Sequence, residues 1–120
     1  MKIKTFIIDS FTNEAFKGNP AGVCLLEQEL TVPIMQAIAS ELNLSETAFL
    51  IQHPMAENKF FIRYFTPTVE IDFCGHATLA AAKLILHRLK KEMVIFTTYH
   101  QLVIKAISEG ETITMEFPLY

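Results

Sequence analysis

The chain has 120 residues, of which 51% are hydrophobic, which suffices for one domain with a core and is too apolar for a disordered protein. Its formal net charge of −3 excludes the basic surface that a nucleic-acid partner requires. No segment reaches the roughly 18 to 20 consecutive apolar residues of a membrane span, and the N-terminus is typical of a strand, not of a signal peptide. We therefore expect a cytoplasmic protein with neither a nucleic-acid nor a membrane partner.

The first third of the chain predicts two strands and a helix. A β-branched and aromatic run over residues 3–8 indicates a strand in the middle of a sheet. Residues 21–26 predict a second, short strand in which Cys24 is a small buried hydrophobe. Residues 31–43 have a helical pattern that Thr31 can cap. The predicted apolar face of this helix comprises Ile34, Ala37, Ile38 and Leu42.

Two polar residues beside these elements allow both a structural and a functional interpretation. Asn19 lies in a Gly-Asn-Pro turn, where its amide either offers hydrogen bonds in two directions or only stabilises the turn. Glu46 lies at the start of an extended, largely apolar run over residues 44–51. A carboxylate in that place is partly desolvated, which suits it to proton transfer near neutral pH, whereas most glutamates at strand starts are simply exposed. The residues alone leave both interpretations open.

The rest of the chain predicts strands on either side of one apolar helix. Residues 59–66 indicate a strong strand, and residues 69–73 alternate in polarity and lead towards a run of helix formers over residues 79–89. Up to Leu86 this run is apolar nearly all the way round, so the helix belongs inside the fold. Three further runs predict an antiparallel meander, at residues 93–98, 101–107 and 112–117. This order indicates the α+β class, with a mixed, largely antiparallel sheet rolled around a central apolar helix.

The start of the central helix has the features of an anion site. Gly75 and His76 stand just before the apolar run, so the backbone can come close to a ligand there. The first unpaired N–H groups and the positive end of the helix dipole lie at the same place. We therefore expect the start of this helix to hold an anion.

Several segments of the chain together resemble those of a known family. They lie at residues 8–12, 16–23, 43–49, 63–67 and 70–80, and the last contains a Cys-Gly-His motif. Their order and spacing resemble the N-terminal half of the phenazine-biosynthesis (PhzF-like) isomerases, which are similar in fold to diaminopimelate epimerase. The resemblance implies that residues 1–120 form a single N-terminal domain, one of two similar domains with the active site in the cleft between them.

The resemblance also implies an activity and a set of site residues. Glu46 matches the family's general acid/base glutamate. Gly75 and His76 match its substrate-holding pair, and Asn19 and Ser45 match positions that line the site. The implied reaction is a proton shift within a small carboxylic acid, in which the helix start holds the carboxylate and Glu46 moves the proton. This isomerase chemistry needs no metal and no organic cofactor.

The family's chains are about twice as long as this one, so the resemblance implies that the second domain is absent from residues 1–120. This half alone is then expected to be an incomplete catalyst. We expect its cleft to be completed by the missing C-terminal domain or by a second copy of the chain, as a homodimer about a two-fold axis. The surface that packs against a sister domain would be apolar and exposed.

Cys74 supports an alternative hypothesis. A thiol at a helix start beside His76 has conditions that lower its pKa, and diaminopimelate epimerase-like racemases use two such cysteines, one from each domain. Here the cysteine is followed by Gly-His instead of the Gly-Asn of the epimerases. A third hypothesis is a non-catalytic binding or dimerisation module. The isomerase needs Glu46, the racemase needs Cys74, and the binding module tolerates the loss of either.

Overall fold

The computed structural model of the chain describes residues 2–9 and 19–118, so the predicted loop before Asn19, with Gly18, lies outside the described residues. Strands and helices follow the predicted order closely. In chain order they are β1 (Lys4–Ile8), β2 (Ala21–Leu26), α1 (Val32–Leu42), β3 (Thr47–Gln52), β4 (Lys59–Phe65), β5 (Glu70–Ile71), α2 (Gly75–Leu89), β6 (Met93–Thr98), β7 (Val103–Glu109) and β8 (Thr112–Glu116).

The strands form one mixed sheet, in the order β1-β2-β3-β4-β6-β7-β8, with the short β5 paired to the end of β4. The pairs β2–β3 and β4–β6 are parallel and the other pairs are antiparallel, which confirms a largely antiparallel sheet. The predicted meander is confirmed as β6–β7–β8. The expectation that the first strand lies in the middle of the sheet is wrong. In the described part of the chain β1 pairs with β2 alone, and its Ile7 is 62% exposed.

The sheet curls around α2. This helix contacts the first strand, β1, and the last, β8, as well as strands between them, which is geometrically possible only if the sheet wraps around it. The alanines of α2 are fully buried and let the strands approach the helix axis closely. Strand side chains that face α2 alternate with outward-facing ones, as in Val23, Ala48, Leu50 and Ile62. The predicted apolar helix inside a rolled sheet is confirmed.

The helix α1 covers part of the outer face of the sheet. A second cluster, formed by Cys24, Met35, Ala39, Phe49 and Phe65, fills the space beneath it. Two details differ from expectation. The Thr31 side chain makes no capping hydrogen bond, and the buried positions of α1 are Met35 and Ala39, whereas Ile34 is 38% exposed. Ala37 is exposed as well, whereas Ile38 and Leu42 pack against this cluster, so the predicted apolar face is confirmed at two of its four positions.

Helix α2 ends as its sequence suggests. His87 and Arg88 lie in its last turn, where positive charge is favourable, and Lys90 adopts a left-handed conformation that ends the helix. Within residues 2–9 and 19–118, neither helix is long and apolar enough to cross a membrane.

Candidate active site

The topology brings four chain segments to one edge of the sheet. The parallel strands β2 and β3 both begin there, with Gly22 opposite Thr47. The antiparallel β4 ends there, since Phe65 is also opposite Thr47. After β5, which pairs with the end of β4, the chain turns directly into α2. The residues that precede β2 and β3 and the first turn of α2 therefore share one edge.

Glu46 is fixed at this edge by its main chain. Its carbonyl oxygen accepts a hydrogen bond from the N–H of Gly22 at 3.0 Å, which extends the β2–β3 pairing by one residue. The side chain is half-buried, and its Oε2 is buried with no partner of hydrogen-bond geometry in the part of the chain that the structure describes. A buried carboxylate oxygen without a donor is costly, and it is free to accept a proton or a hydrogen bond from a ligand.

Asn19 and Ser45 contact each other at the same edge. The hydroxyl of Ser45 donates a hydrogen bond to Oδ1 of Asn19 at 3.0 Å, and both residues are exposed. This bond ties the segment before β2 to the segment before β3. It holds Asn19 against Ser45, the residue that immediately precedes Glu46.

The first turn of α2 begins at Gly75, as predicted. Cys74 is the N-cap residue, with an extended backbone, and its Sγ accepts a hydrogen bond from the N–H of Ala77 at 3.4 Å. Gly75 and His76, the first two helical residues, are half-buried. No described residue accepts a hydrogen bond from the Gly75 N–H. The helix start thus keeps a main-chain donor for a ligand.

Cys74 lies close enough to Glu46 for the carboxylate to affect its ionisation. Burial is the largest influence and raises the pKa of the Cys74 thiol. The N–H of Ala77 lowers it, and the charge of Glu46 raises it again. The net pKa is raised, so the expectation of a lowered pKa is wrong: the helix start does not offset burial and a neighbouring carboxylate. Since the thiolate is the reactive form, a raised pKa makes Cys74 less reactive near neutral pH, which counts against the two-thiol racemase hypothesis.

Two residues that the sequence analysis missed contact the start of α2 from the protein interior. Tyr64 on β4 and Thr78 on α2 are both buried, and their hydroxyl oxygens lie 2.6 Å apart. The Thr78 hydroxyl also donates to the carbonyl oxygen of Cys74 at 2.8 Å. A tyrosine on the inward face of a strand needs a partner for its hydroxyl, and this was the signal in the alternating run Phe60, Ile62, Tyr64.

Gly22 is a third residue that the sequence analysis missed. A Cβ at this position would lie 3.0 Å from Oγ1 and 3.3 Å from Cγ2 of the fully buried Thr47, and 3.2 Å from a methyl group of Leu42. A glycine is needed here because β2 passes very close to the side chain that follows Glu46. A glycine inside a strand run signals such a close approach.

The polar groups at this edge that are of a type able to contact a ligand are the Gly75 N–H and the side chains of Asn19, Ser45 and His76. Among the described residues, no group of three or more His, Cys, Asp or Glu side chains is arranged to hold a metal ion.

Comparison with known proteins relates the chain to one family. The family model described as phenazine biosynthesis-like protein matches residues 8–119. A phenazine biosynthesis-like domain-containing protein of Bos taurus is 45% identical over 127 aligned positions, which cover 100% of this chain and 44% of the relative. A protein of Halalkalibacterium halodurans called an uncharacterized isomerase is 44% identical, over 98% of this chain and 44% of its own length.

Solved structures agree with the fold. The crystal structure of a phenazine biosynthesis protein from Clostridium difficile has a TM-score of 0.83 and 39% identity, over 93% of this chain and 42% of the other. A structure described as a predicted epimerase of Pseudomonas aeruginosa has a TM-score of 0.78 at 24% identity, which shows a common fold. The chain spans less than half the length of these relatives. With its family motifs gathered at one sheet edge and its sequence matched from residue 8 to 119, the chain belongs to the phenazine biosynthesis-like protein family.

Proposed function

We propose that this chain supplies one wall of the active site of an isomerase that shifts a proton within a small carboxylic acid. The observation that carries the proposal is the position of Glu46. Its buried Oε2 has no hydrogen-bond donor within residues 2–9 and 19–118, and its carboxyl lies beside Cys74, the residue that precedes the Gly75-His76 helix start. A proton acceptor and an anion-binding helix start thus lie within one small site.

Each residue has a distinct role in this proposal. The Gly75 N–H and the positive end of the α2 dipole bind the substrate carboxylate, and His76 hydrogen-bonds the same group or a polar neighbour. Glu46 takes a proton from carbon and returns it at another position of the same molecule. Asn19 and Ser45, linked by their hydrogen bond, line the site beside Glu46. Acid-base steps alone complete this reaction, so the proposal invokes no metal or organic cofactor.

The cleft needs a second wall, which we propose comes from a further domain or from a second copy of this chain. The chain covers 44% of the relatives of Bos taurus and Halalkalibacterium halodurans. Apolar surface also borders the site: Phe117 is 44% exposed and its ring lies 5.5 Å from that of Phe73, which in turn flanks Gly75. A second wall over this border would exclude water from the proton transfer.

The test is deuterium exchange in D2O on the assembled protein, with a panel of small hydroxy and amino carboxylic acids followed by proton NMR. We expect solvent deuterium to enter at carbon, and Glu46→Gln to slow this exchange by about 100-fold or more, the usual contribution of a general base. Glu41→Gln, which changes an exposed glutamate of α1, is the matched control and should leave the rate unchanged.

The same assay separates the alternatives. Under the proposal, Cys74→Ser retains measurable exchange, because serine caps a helix as well as cysteine does. If Cys74→Ser lost exchange while Glu46→Gln kept it, the result would contradict the isomerase proposal and support the thiol-based racemase. Carboxylate binding without exchange, unaffected by either variant, would identify a binding module.

A further inference from the structure

We propose that Tyr64 and Thr78 are positioning residues, which aim and polarise the Gly75 N–H through a buried chain of hydrogen bonds. The Tyr64 hydroxyl lies 2.6 Å from the Thr78 hydroxyl, which lies 2.8 Å from the carbonyl oxygen of Cys74. Both side chains are almost completely buried, with 1% of Tyr64 and 0% of Thr78 exposed. The link to substrate binding rests on the proposed function, whereas the link to the Gly75 amide rests on the geometry alone.

Both hydrogen bonds can be made at once with only one arrangement of the hydroxyl protons. A carbonyl oxygen accepts and never donates, so the single Thr78 proton is used on the Cys74 carbonyl. The bond between the two hydroxyls is then made by the Tyr64 proton, with Tyr64 as donor and Thr78 as acceptor. Burial raises the pKa of Tyr64, so it remains a neutral donor throughout the physiological range.

The Cys74 carbonyl is held from two directions. It accepts the Thr78 hydroxyl at 2.8 Å and the Thr78 N–H at 3.0 Å, so both of its lone pairs are occupied. The Cys74 Sγ is held separately by the N–H of Ala77. The orientation of the peptide group between Cys74 and Gly75 is therefore set from inside the protein.

Fixing this carbonyl fixes the neighbouring N–H. A trans peptide is planar, so its C=O and N–H bonds point in opposite directions. The Cys74 carbonyl points into the first turn of α2, where Thr78 lies, and the Gly75 N–H must point outward, away from the helix. Hydrogen bonds accepted by the carbonyl also polarise the amide, which makes its N–H a stronger donor to an anion.

A threonine hydroxyl that bonds to the carbonyl four residues earlier is common in helices and needs no function. Tyr64 is what makes this case different. It comes from β4, on a separate element, and reaches the helix start without itself being near the surface. Tyr64 thereby links the buried strand β4 to the peptide group of the Gly75 N–H and restrains the orientation of that group.

The experiment measures the Gly75 amide in ¹H–¹⁵N NMR spectra of the chain, without ligand and during titration with acetate at constant ionic strength. We expect Tyr64→Phe and Thr78→Val to move the Gly75 amide proton upfield, and Thr78→Ser, which keeps the hydroxyl, to restore the parental position. Tyr99→Phe and Thr98→Val are matched controls, since Tyr99 is exposed and Thr98 is a buried threonine whose hydroxyl accepts the N–H of Leu102. Neither control should move the Gly75 signal.

In the acetate titration, Tyr64→Phe should bind about threefold to tenfold more weakly than the parent chain, as expected for the loss of one supporting hydrogen bond. A Gly75 signal that moves no more in Tyr64→Phe and Thr78→Val than in the controls would overturn the positioning role. The proposed function fails differently: acetate would then leave the Gly75 and His76 amides of the parent unchanged, whatever the ligand-free signals of the variants show.

Discussion

At the scale of single residues, neither the backbone conformation nor the packing at position 75 requires a glycine. Its φ lies outside the left-handed region, and a Cβ would meet only the ring of Phe73, at 3.9 Å. An alanine therefore fits the helix start without strain. What it changes is the space in front of the N–H that we propose binds the substrate carboxylate.

Gly75→Ala should therefore weaken carboxylate binding and leave the fold intact. We expect the free energy of unfolding to stay constant or rise by up to about 1 kcal/mol, because alanine restricts the unfolded chain. Urea unfolding and acetate titration measure the two effects. Gly110→Ala is the matched control: its φ of 65° should make it destabilising by about 1 to 2 kcal/mol, with acetate binding unaffected. Loss of stability in Gly75→Ala would show that the backbone itself requires this glycine.

The raised pKa of Cys74 can be tested through its reactivity. The thiolate reacts with iodoacetamide, so a raised pKa means slow alkylation at neutral pH. Removing the Glu46 charge lowers the Cys74 pKa towards, but not to, its ordinary value, because burial is the larger cause and remains. In a Cys24→Ala background, Glu46→Gln should speed the alkylation of Cys74 at pH 7 to 8 and move the rate profile to lower pH. The exposed Glu57→Gln should have no effect, and equal rates for both variants would mean that Glu46 and Cys74 do not interact.

At the scale of elements, the candidate site depends on how closely β2 and β3 approach each other. Gly22 donates its N–H to Glu46 and leaves room for Thr47 directly below. Glu46 is therefore held to β2 by a main-chain hydrogen bond, and the next residue, Thr47, packs closely against Gly22. A shift of one strand would carry Glu46 away from the start of α2.

Gly22→Ala should test this close approach. The new Cβ would lie 3.0 Å from Oγ1 of Thr47, so the strands must move apart, and we expect a loss of about 1 to 3 kcal/mol in the free energy of unfolding. Thr47→Ala in the same chain removes the clash. The loss in the free energy of unfolding caused by Gly22→Ala should therefore be smaller in the Thr47→Ala background, which a double-mutant cycle by urea unfolding measures. Additive losses would contradict a direct contact between these positions.

At the scale of the whole molecule, the curled sheet leaves its first and last strands as open edges in the described part of the chain, with apolar side chains beside the site. Ile7 on the edge strand β1 is 62% exposed, and Phe117 after β8 is 44% exposed. Exposed apolar side chains beside an edge strand favour association. We propose that two copies of the chain pair about a two-fold axis, with their helix starts facing one cleft.

Sedimentation equilibrium of this chain tests the pairing. We expect a mass of twice 13.6 kDa at high concentration, and a shift to the monomer in Ile7→Lys or Phe117→Lys, which place a charge in the apolar border. Met55→Lys, at an 86% exposed residue between β3 and β4, is the matched control. A parent chain that stays monomeric at all concentrations would leave a separate second domain as the source of the second wall.

Much of this molecule could be predicted because local patterns carry the information. The apolar run from Leu79 to Leu86 indicated a buried helix, and turn residues separated the strands of the meander. The structure agrees on both. The resemblance pointed to Glu46, Asn19, Ser45, Gly75 and His76, which lie just before β2, just before β3 and at the start of α2, at one sheet edge. The errors fell on β1 and α1, where the environment depends on which strands pair and how a helix rotates on the sheet.

The sequence by itself determined the elements, the burial of α2 and the residue types needed for an anion site, because these depend on the spacing of apolar side chains and on helix-end chemistry. Only the tertiary structure decided which groups meet. It partly buried Cys74 and set Glu46 beside it, which together raise the thiol pKa against expectation, and it joined Tyr64 to Thr78 behind the Gly75 N–H. The physical reason is that hydrogen bonds and charge interactions act over a few ångströms, and separations that small between distant residues arise only when the sheet closes around the helix.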